Sequence, residues 1–155
     1  MRRSFSIVLL LAIAVPLNAV RQPLRARHGM VVAMEAQAAD VGVAVLKAGG
    51  NAVDAAVAVG FALAVTHPFA GNLGGGGFMV VRAANGQTTT FDYRETAPAK
   101  STPTMYLGPD GNIVGARTST GYLAPGVPGT VRRMALAHKR FGKLAWKDVV
   151  MPAAD

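Results

Sequence analysis

Apolar and polar positions alternate along this chain in a way that names most of its elements. Residues 30–34, Met-Val-Val-Ala-Met, form one continuous apolar run, which predicts a buried strand. Over 36–48, Val41, Val45 and Ala48 recur at helical spacing, and Gly49-Gly50 supply the C-terminal stop. Asn51 followed by Asp54 has the spacing of a capping box, so a second helix is predicted from residue 52. Residues 52–65 are almost wholly Ala, Val, Leu, Phe and Gly, a helix apolar on every side and therefore expected inside a layered fold. His67-Pro68 closes it, because a residue before proline is pushed out of the helical region.

The period then changes from helical to two. A glycine-rich loop, 69–77, runs into Phe78-Met79-Val80-Val81-Arg82-Ala83, Asn85-Gly86 signals a tight hairpin, and residues 87–93 return as a second strand. In that strand Thr89, Phe91 and Tyr93 share one face, and Thr88, Thr90, Asp92 and Arg94 the other. Residues 97–129, rich in Pro, Gly, Ser and Thr, read as extended loop with short strand pieces near Ile113-Val114 and Tyr122-Leu123. Thr130 is a candidate cap for a helix over 131–141 that ends at Gly142. A further helix is expected from about Leu144, burying Trp146, Val149 and Val150.

Composition removes whole classes. At 155 residues, with 51% hydrophobic and 15% charged positions, the chain can build an apolar core and is not a disordered tail. With no cysteine it has no disulfide, no thiolate metal site and no cysteine nucleophile. Met1-Arg2-Arg3, the apolar run 5–17 and the small Ala19 read as a secretory signal peptide over 1–19, too short to remain as a spanning helix. Its removal takes the formal charge from +8 to +6 and directs the chain to the periplasm or the medium, with no stable membrane anchor. Nucleic acid is not the expected partner of that charge. Arg132, Arg133, Lys139, Arg140, Lys143 and Lys147 follow one helical stretch with no interleaved aromatic platform, which fits a solvated helix face. A surface-binding role of that basic helix at anionic surfaces is the remaining reading of the charge.

Candidate chemistry is sparse. Gly74–Gly77 could offer backbone N–H groups to a phosphate, but a phosphate loop needs Lys-Ser/Thr and a helix after the glycines, and Phe78 opens a strand here. His28, His67 and His138 are far apart and lack the spacing of metal ligands, so no metal and no cofactor is called for. Thr88-Thr89-Thr90 are ordinary strand formers with no base beside them. Arg94 is the residue that stands out. Its guanidinium at a strand end is either one half of an ion pair with Asp92 or Glu95, or a bidentate clamp for a small carboxylate.

Five motifs in order change the weight of these readings: Gly29–Ala33, Gly49–Ala58, Gly71–Met79, Asp92–Pro98 and Gly126–Thr130. Together they closely resemble the N-terminal part of the γ-glutamyltransferase family, also called γ-glutamyltranspeptidase or glutathione hydrolase. The resemblance implies an α+β fold, the αββα sandwich of N-terminal-nucleophile hydrolases, present only in part. It also implies an exported zymogen that cuts itself into a large and a small subunit. In such an enzyme the new N-terminal threonine of the small subunit attacks the γ-glutamyl amide of glutathione, with its own α-amine as base. Water or an amino-acid or peptide acceptor then resolves the acyl-enzyme. By resemblance Arg94 holds the α-carboxylate of the γ-glutamyl group, and Gly74–Gly77 give a structural entry into the central sheet. The family's threonine motif has no counterpart here, so the expected layout is a signal peptide over 1–19, a linker over 20–28 and an incomplete large-subunit segment over 29–155. That segment is expected to carry no catalytic residue, to need its small subunit as partner, and to be silent alone. The alternative is a non-catalytic remnant that binds glutamate-like carboxylates.

Overall fold

The structure is a computed structural model that describes residues 23–70 and 72–154. The predicted signal peptide over 1–19 and the start of the predicted linker lie outside the described residues.

Residues 30–34 differ from the reading above: they form neither helix nor strand. Val31 and Ala33 turn partly inward while Val32 and Met34 are 84% and 77% exposed, so the run has strand-like alternation without a partner. A ladder needs an edge whose N–H and C=O groups face it, and the described residues supply none at this place.

Helix α1, Ala36–Lys47, buries Ala38, Gly42 and Val45 on one stripe. It ends as the sequence dictates. The N–H of Gly50 donates to the Val45 carbonyl at 3.0 Å and that of Gly49 to Leu46 at 3.1 Å, with Gly49 at φ +92°, where a side chain would be strained. Helix α2, Ala52–Thr66, begins at the predicted capping box: Asn51 Oδ1 accepts from the N–H of Val53 at 2.9 Å and of Asp54 at 3.1 Å, and Asp54 Oδ2 accepts from the Asn51 N–H at 2.8 Å. Its buried side chains, Val53, Ala55, Val57, Ala58, Phe61 and Ala62 among them, cover one broad side of the helix. Burial is not all-round as the composition predicts: Ala52 and Ala56 are exposed, and so is Val65 near the far end, at 64%.

Strands β1, Phe78–Arg82, and β2, Thr88–Asp92, pair antiparallel with Phe78 opposite Asp92 and Arg82 opposite Thr88. The turn is not the two-residue type that Asn-Gly signals. Ala83 N–H donates to Gln87 O and Gly86 N–H to Ala83 O, leaving a three-residue loop in which Gly86 alone has positive φ, at +86°. Ala84 and Asn85 keep ordinary conformations, and the glycine bulge supplies the twist. The two faces separate as read: Phe91 is buried at 4% exposure, and Thr88, Thr90 and Asp92 look outward.

The 97–129 region is mostly loop, with one element that the pattern does not announce, the single helical turn α3, Gly115–Ser119. Ile113 bridges Leu107, but Tyr122 is fully exposed and Leu123 enters no strand, which corrects the second predicted strand piece. Helix α4, Thr130–Phe141, and helix α5, Trp146–Val150, follow, with a 3₁₀ turn over Met151–Ala153. Gly129 rather than Thr130 is the N-cap of α4, since the Thr130 side chain turns into the interior instead of back over the first turn. Trp146 keeps 36% exposure, more than expected, because it meets Phe61 and His138 by its edges.

The core forms where α1, α2, α4 and α5 pack over the inner face of the hairpin, with Val57 and Val149 wholly buried and Phe91 set edge-on to Phe141 at 6.1 Å. Each such buried valine or phenylalanine stabilises the fold by roughly 1.5–3 kcal/mol relative to exposure. Two polar residues are buried as well, Thr130 at 4% exposure and Asp54 at 0%. The contacts of Asp54 reach across the core. Beyond its capping bond it accepts from the N–H groups of Lys143 at 3.0 Å and Leu144 at 3.4 Å, while Asn51 Nδ2 donates to Phe141 O at 2.6 Å. The start of α2 is thereby tied to the α4–α5 turn.

Candidate functional site

Three segments meet beyond the open end of the hairpin. The ladder continues past β2, with Tyr93 N–H donating to Gly77 O at 2.9 Å and Gly77 N–H to Tyr93 O at 3.4 Å. Thr96 exchanges both backbone bonds with Val127, at 2.9 and 3.2 Å. The N–H groups of Gly129 and Thr130 then converge on the carbonyl of Gly75, at 3.1 and 3.2 Å. Residues 75–77, 93–96 and 127–130 are thus stitched into one rim, and each belongs to a motif singled out in the sequence.

Small residues permit this approach. A Cβ at Gly76 would stand 2.8 Å from Arg94 Cα, and one at Gly129 would collide with the Tyr93 carbonyl. Gly126 faces the Glu95 side chain in the same way. Three of the four N–H groups of Gly74–Gly77 are engaged within the chain: that of Gly74 donates to Asn72 Oδ1, that of Gly75 to Asn72 O, and that of Gly77 to Tyr93 O. Their place at the entry to β1 is structural.

Strand alternation then sends neighbouring side chains apart. Tyr93 points inward, donates its hydroxyl to Phe78 O at 3.2 Å, and has its phenol pKa raised by burial. Arg94 points outward and is exposed, while the Glu95 carboxylate turns toward Gly75 and Gly76. The Asp92 carboxylate accepts the Arg94 backbone N–H at 3.0 Å. The contacts of salt-bridge length among the described residues are His67 to Glu35 at 3.0 Å and His138 to Asp54 at 3.3 Å, each charged only when its histidine is protonated. No carboxylate among the described residues therefore pairs with the Arg94 guanidinium, although both candidate acids lie within three residues of it.

Arg94 lines an open groove of about 480 Å³ together with Tyr93, Glu95, Pro128, Arg132 and Arg133. A second groove of about 590 Å³, bounded by Pro98, Tyr106 and Pro125, shares Glu95 and Thr96 with the first. Sequence reasoning placed Arg132 and Arg133 on a solvated helix face and missed their position on the Arg94 rim. The usable signal was their adjacency to the Gly126–Thr130 motif, whose turn aims the first turn of α4 at residue 94. The other candidates scatter. His67 caps the end of α2 and pairs with Glu35, His138 packs against Asp54 and Trp146, His28 lies on the far side near Leu46, and Thr88–Thr90 remain in β2. Among the described residues no three His, Asp or Glu side chains gather as a metal site.

This arrangement of helices, hairpin and glycine-lined rim is similar to that of solved γ-glutamyltranspeptidases. The structure superposes on the enzyme of that name from Helicobacter pylori with a TM-score of 0.81 at 46% identity, covering 85% of this chain and 38% of that one. On the γ-glutamyltranspeptidase from Pseudomonas nitroreducens complexed with L-DON the TM-score is 0.79 at 49% identity, over 83% of this chain and 38% of that one. The glutathione hydrolase proenzyme of Escherichia coli (strain K12) is 56% identical over 134 residues, 86% of this chain and 23% of the relative. Residues 38–155 match the family model described as Gamma-glutamyltranspeptidase, and the chain belongs to that family. It spans about a quarter of the length of the curated relatives it matches.

Proposed function

We propose that this chain forms the carboxylate-binding wall of a γ-glutamyl-processing enzyme, one that cleaves the γ-glutamyl amide of glutathione and passes the glutamyl group to water or to an amino-acid or peptide acceptor. In this reading residues 29–155 are the front of a large subunit within an αββα sandwich, residues 1–19 are an export signal, and the product acts in the periplasm or medium. A small subunit cut from the same kind of precursor brings the attacking threonine, whose α-amine serves as base.

Arg94 is the residue that binds. Its planar fork matches a carboxylate with two parallel N–H···O bonds, and holding the α-carboxylate fixes the distance from that end of the substrate to the γ-carbonyl where bond exchange occurs. The observation that carries the reading is the unpaired guanidinium on a rim built from three family motifs. A stabilising role would have it bonded to Asp92 or Glu95.

Calorimetric titration of the protein with L-glutamate tests this. Removing a charge-assisted hydrogen-bond partner costs about 1.5–3 kcal/mol, so Arg94→Ala is expected to weaken glutamate binding by about 10- to 100-fold. Arg94→Lys keeps the charge, loses the fork and falls between. Equal affinity in the parent and the alanine variant removes Arg94 from the site.

A further inference from the structure

The first turn of α4 holds two arginines where helix physics disfavours them. Arg132 and Arg133 sit at the positive end of the helix dipole, a turn that contains no acidic residue. Neither has a carboxylate partner among the described residues, and both are exposed. They share one groove with Arg94, so three guanidinium groups face a space that only Asp92 and Glu95 counter. Asp92 is engaged by the Arg94 backbone, and Glu95 turns toward the glycines. The remaining field is positive and unspent, and it lies beside the proposed carboxylate clamp, not along the helix flank where Lys139 and Arg140 face solvent.

We infer that Arg132 and Arg133 form a second carboxylate subsite, which selects γ-glutamyl peptides bearing another carboxylate beyond the α-carboxylate. The inference rests on the reading of Arg94 as the clamp for the first. A groove of about 480 Å³ is of the size that takes a small ligand. The two carboxylates of a γ-glutamyl dipeptide are separated by about two residue lengths, on the order of 7–10 Å, so one side chain cannot hold both. A group on the next element has to take the second.

The test uses three probes of rising carboxylate number: L-glutamine, γ-glutamylglycine and γ-glutamylglutamate, each titrated into the protein at fixed, low salt. The parent is expected to bind γ-glutamylglycine about 3- to 10-fold tighter than glutamine, and γ-glutamylglutamate at least as tightly as γ-glutamylglycine. The Arg132→Gln/Arg133→Gln variant is expected to lose that gain while binding glutamine within twofold of the parent. A Lys139→Gln/Arg140→Gln variant removes the same charge from the other end of α4 and is expected to keep the gain. Loss of the gain in both variants means a diffuse field and overturns the subsite, as does its persistence in the arginine variant. Arg94→Ala weakens all three probes together if the clamp is as proposed. If glutamine binding ignores Arg94 while the arginine pair still controls the dicarboxylate gain, the clamp reading fails and the second subsite stands.

Discussion

Tyr93 and Arg94 show how one peptide step divides structural from chemical work. Alternation along the strand places the tyrosine inside, its ring against Gly77 and its hydroxyl on Phe78 O, and leaves the arginine outside. Burial raises the phenol pKa above its ordinary value of 10.0, so the fold favours the neutral form. That contribution is fully present below about pH 10 and is lost as the pH rises through the folded-state value. Spectrophotometric titration at the phenolate band is expected to show a late step above the ordinary tyrosine range, and Tyr93→Phe to abolish it. A profile that Tyr93→Phe leaves without loss of a late step contradicts the burial of residue 93. The alternation itself was legible in the sequence, because Thr89, Phe91 and Tyr93 separate from Thr88, Thr90, Asp92 and Arg94 by period alone. The roles of Gly76 and Gly129 were not, since their cause is a backbone more than 15 residues away in the chain.

At the level of elements, the start of α2 fastens the helical layer. Asp54 satisfies its own helix cap and then binds the turn between α4 and α5 through the Lys143 and Leu144 N–H groups. Asp54→Ala leaves these buried donors without partners and is expected to cost about 3 kcal/mol or more, read as a lower urea midpoint at unchanged slope. A loss below about 0.5 kcal/mol shows that the tie is dispensable. The capping box was readable from Asn51 and Asp54 because both partners lie within one turn. The second half of the tie was not, since Lys143 is 89 positions away and offers only its backbone. The same distinction explains the other departures. The Met30–Met34 run has strand character but no partner among the described residues, and Thr130 is not the cap of α4 because its side chain is buried in the interior.

Across the whole molecule, the hairpin divides a packed face from an open one. Its inner residues Phe91, Met79 and Val81 join the core, while Phe78 and Val80 on the outer face are 59% and 69% exposed. Side chains already in water add little to stability, yet adjacent apolar groups on a short sheet favour self-association. Phe78→Thr/Val80→Thr is therefore expected to raise the soluble, monomeric fraction by light scattering while moving the thermal midpoint by only a few degrees. A collapse of the midpoint would place those side chains in the core. Among the described residues no helix is long and apolar enough to cross a membrane. Of the five motifs, Gly71–Met79, Asp92–Pro98 and Gly126–Thr130 meet at close backbone approaches, and Gly49–Ala58 holds the end of α1 and the start of α2. Assembly of three of them around residue 94 became visible only with the chain folded.

Whether the Arg94 guanidinium receives an amino-acid carboxylate, as proposed above, is tested by a structure of the protein with L-glutamate bound. Both terminal nitrogens of Arg94 are expected on the two α-carboxylate oxygens, at about 2.7–2.9 Å. Glutamate seated elsewhere, with Arg94 folded back onto Asp92 or Glu95, would contradict it.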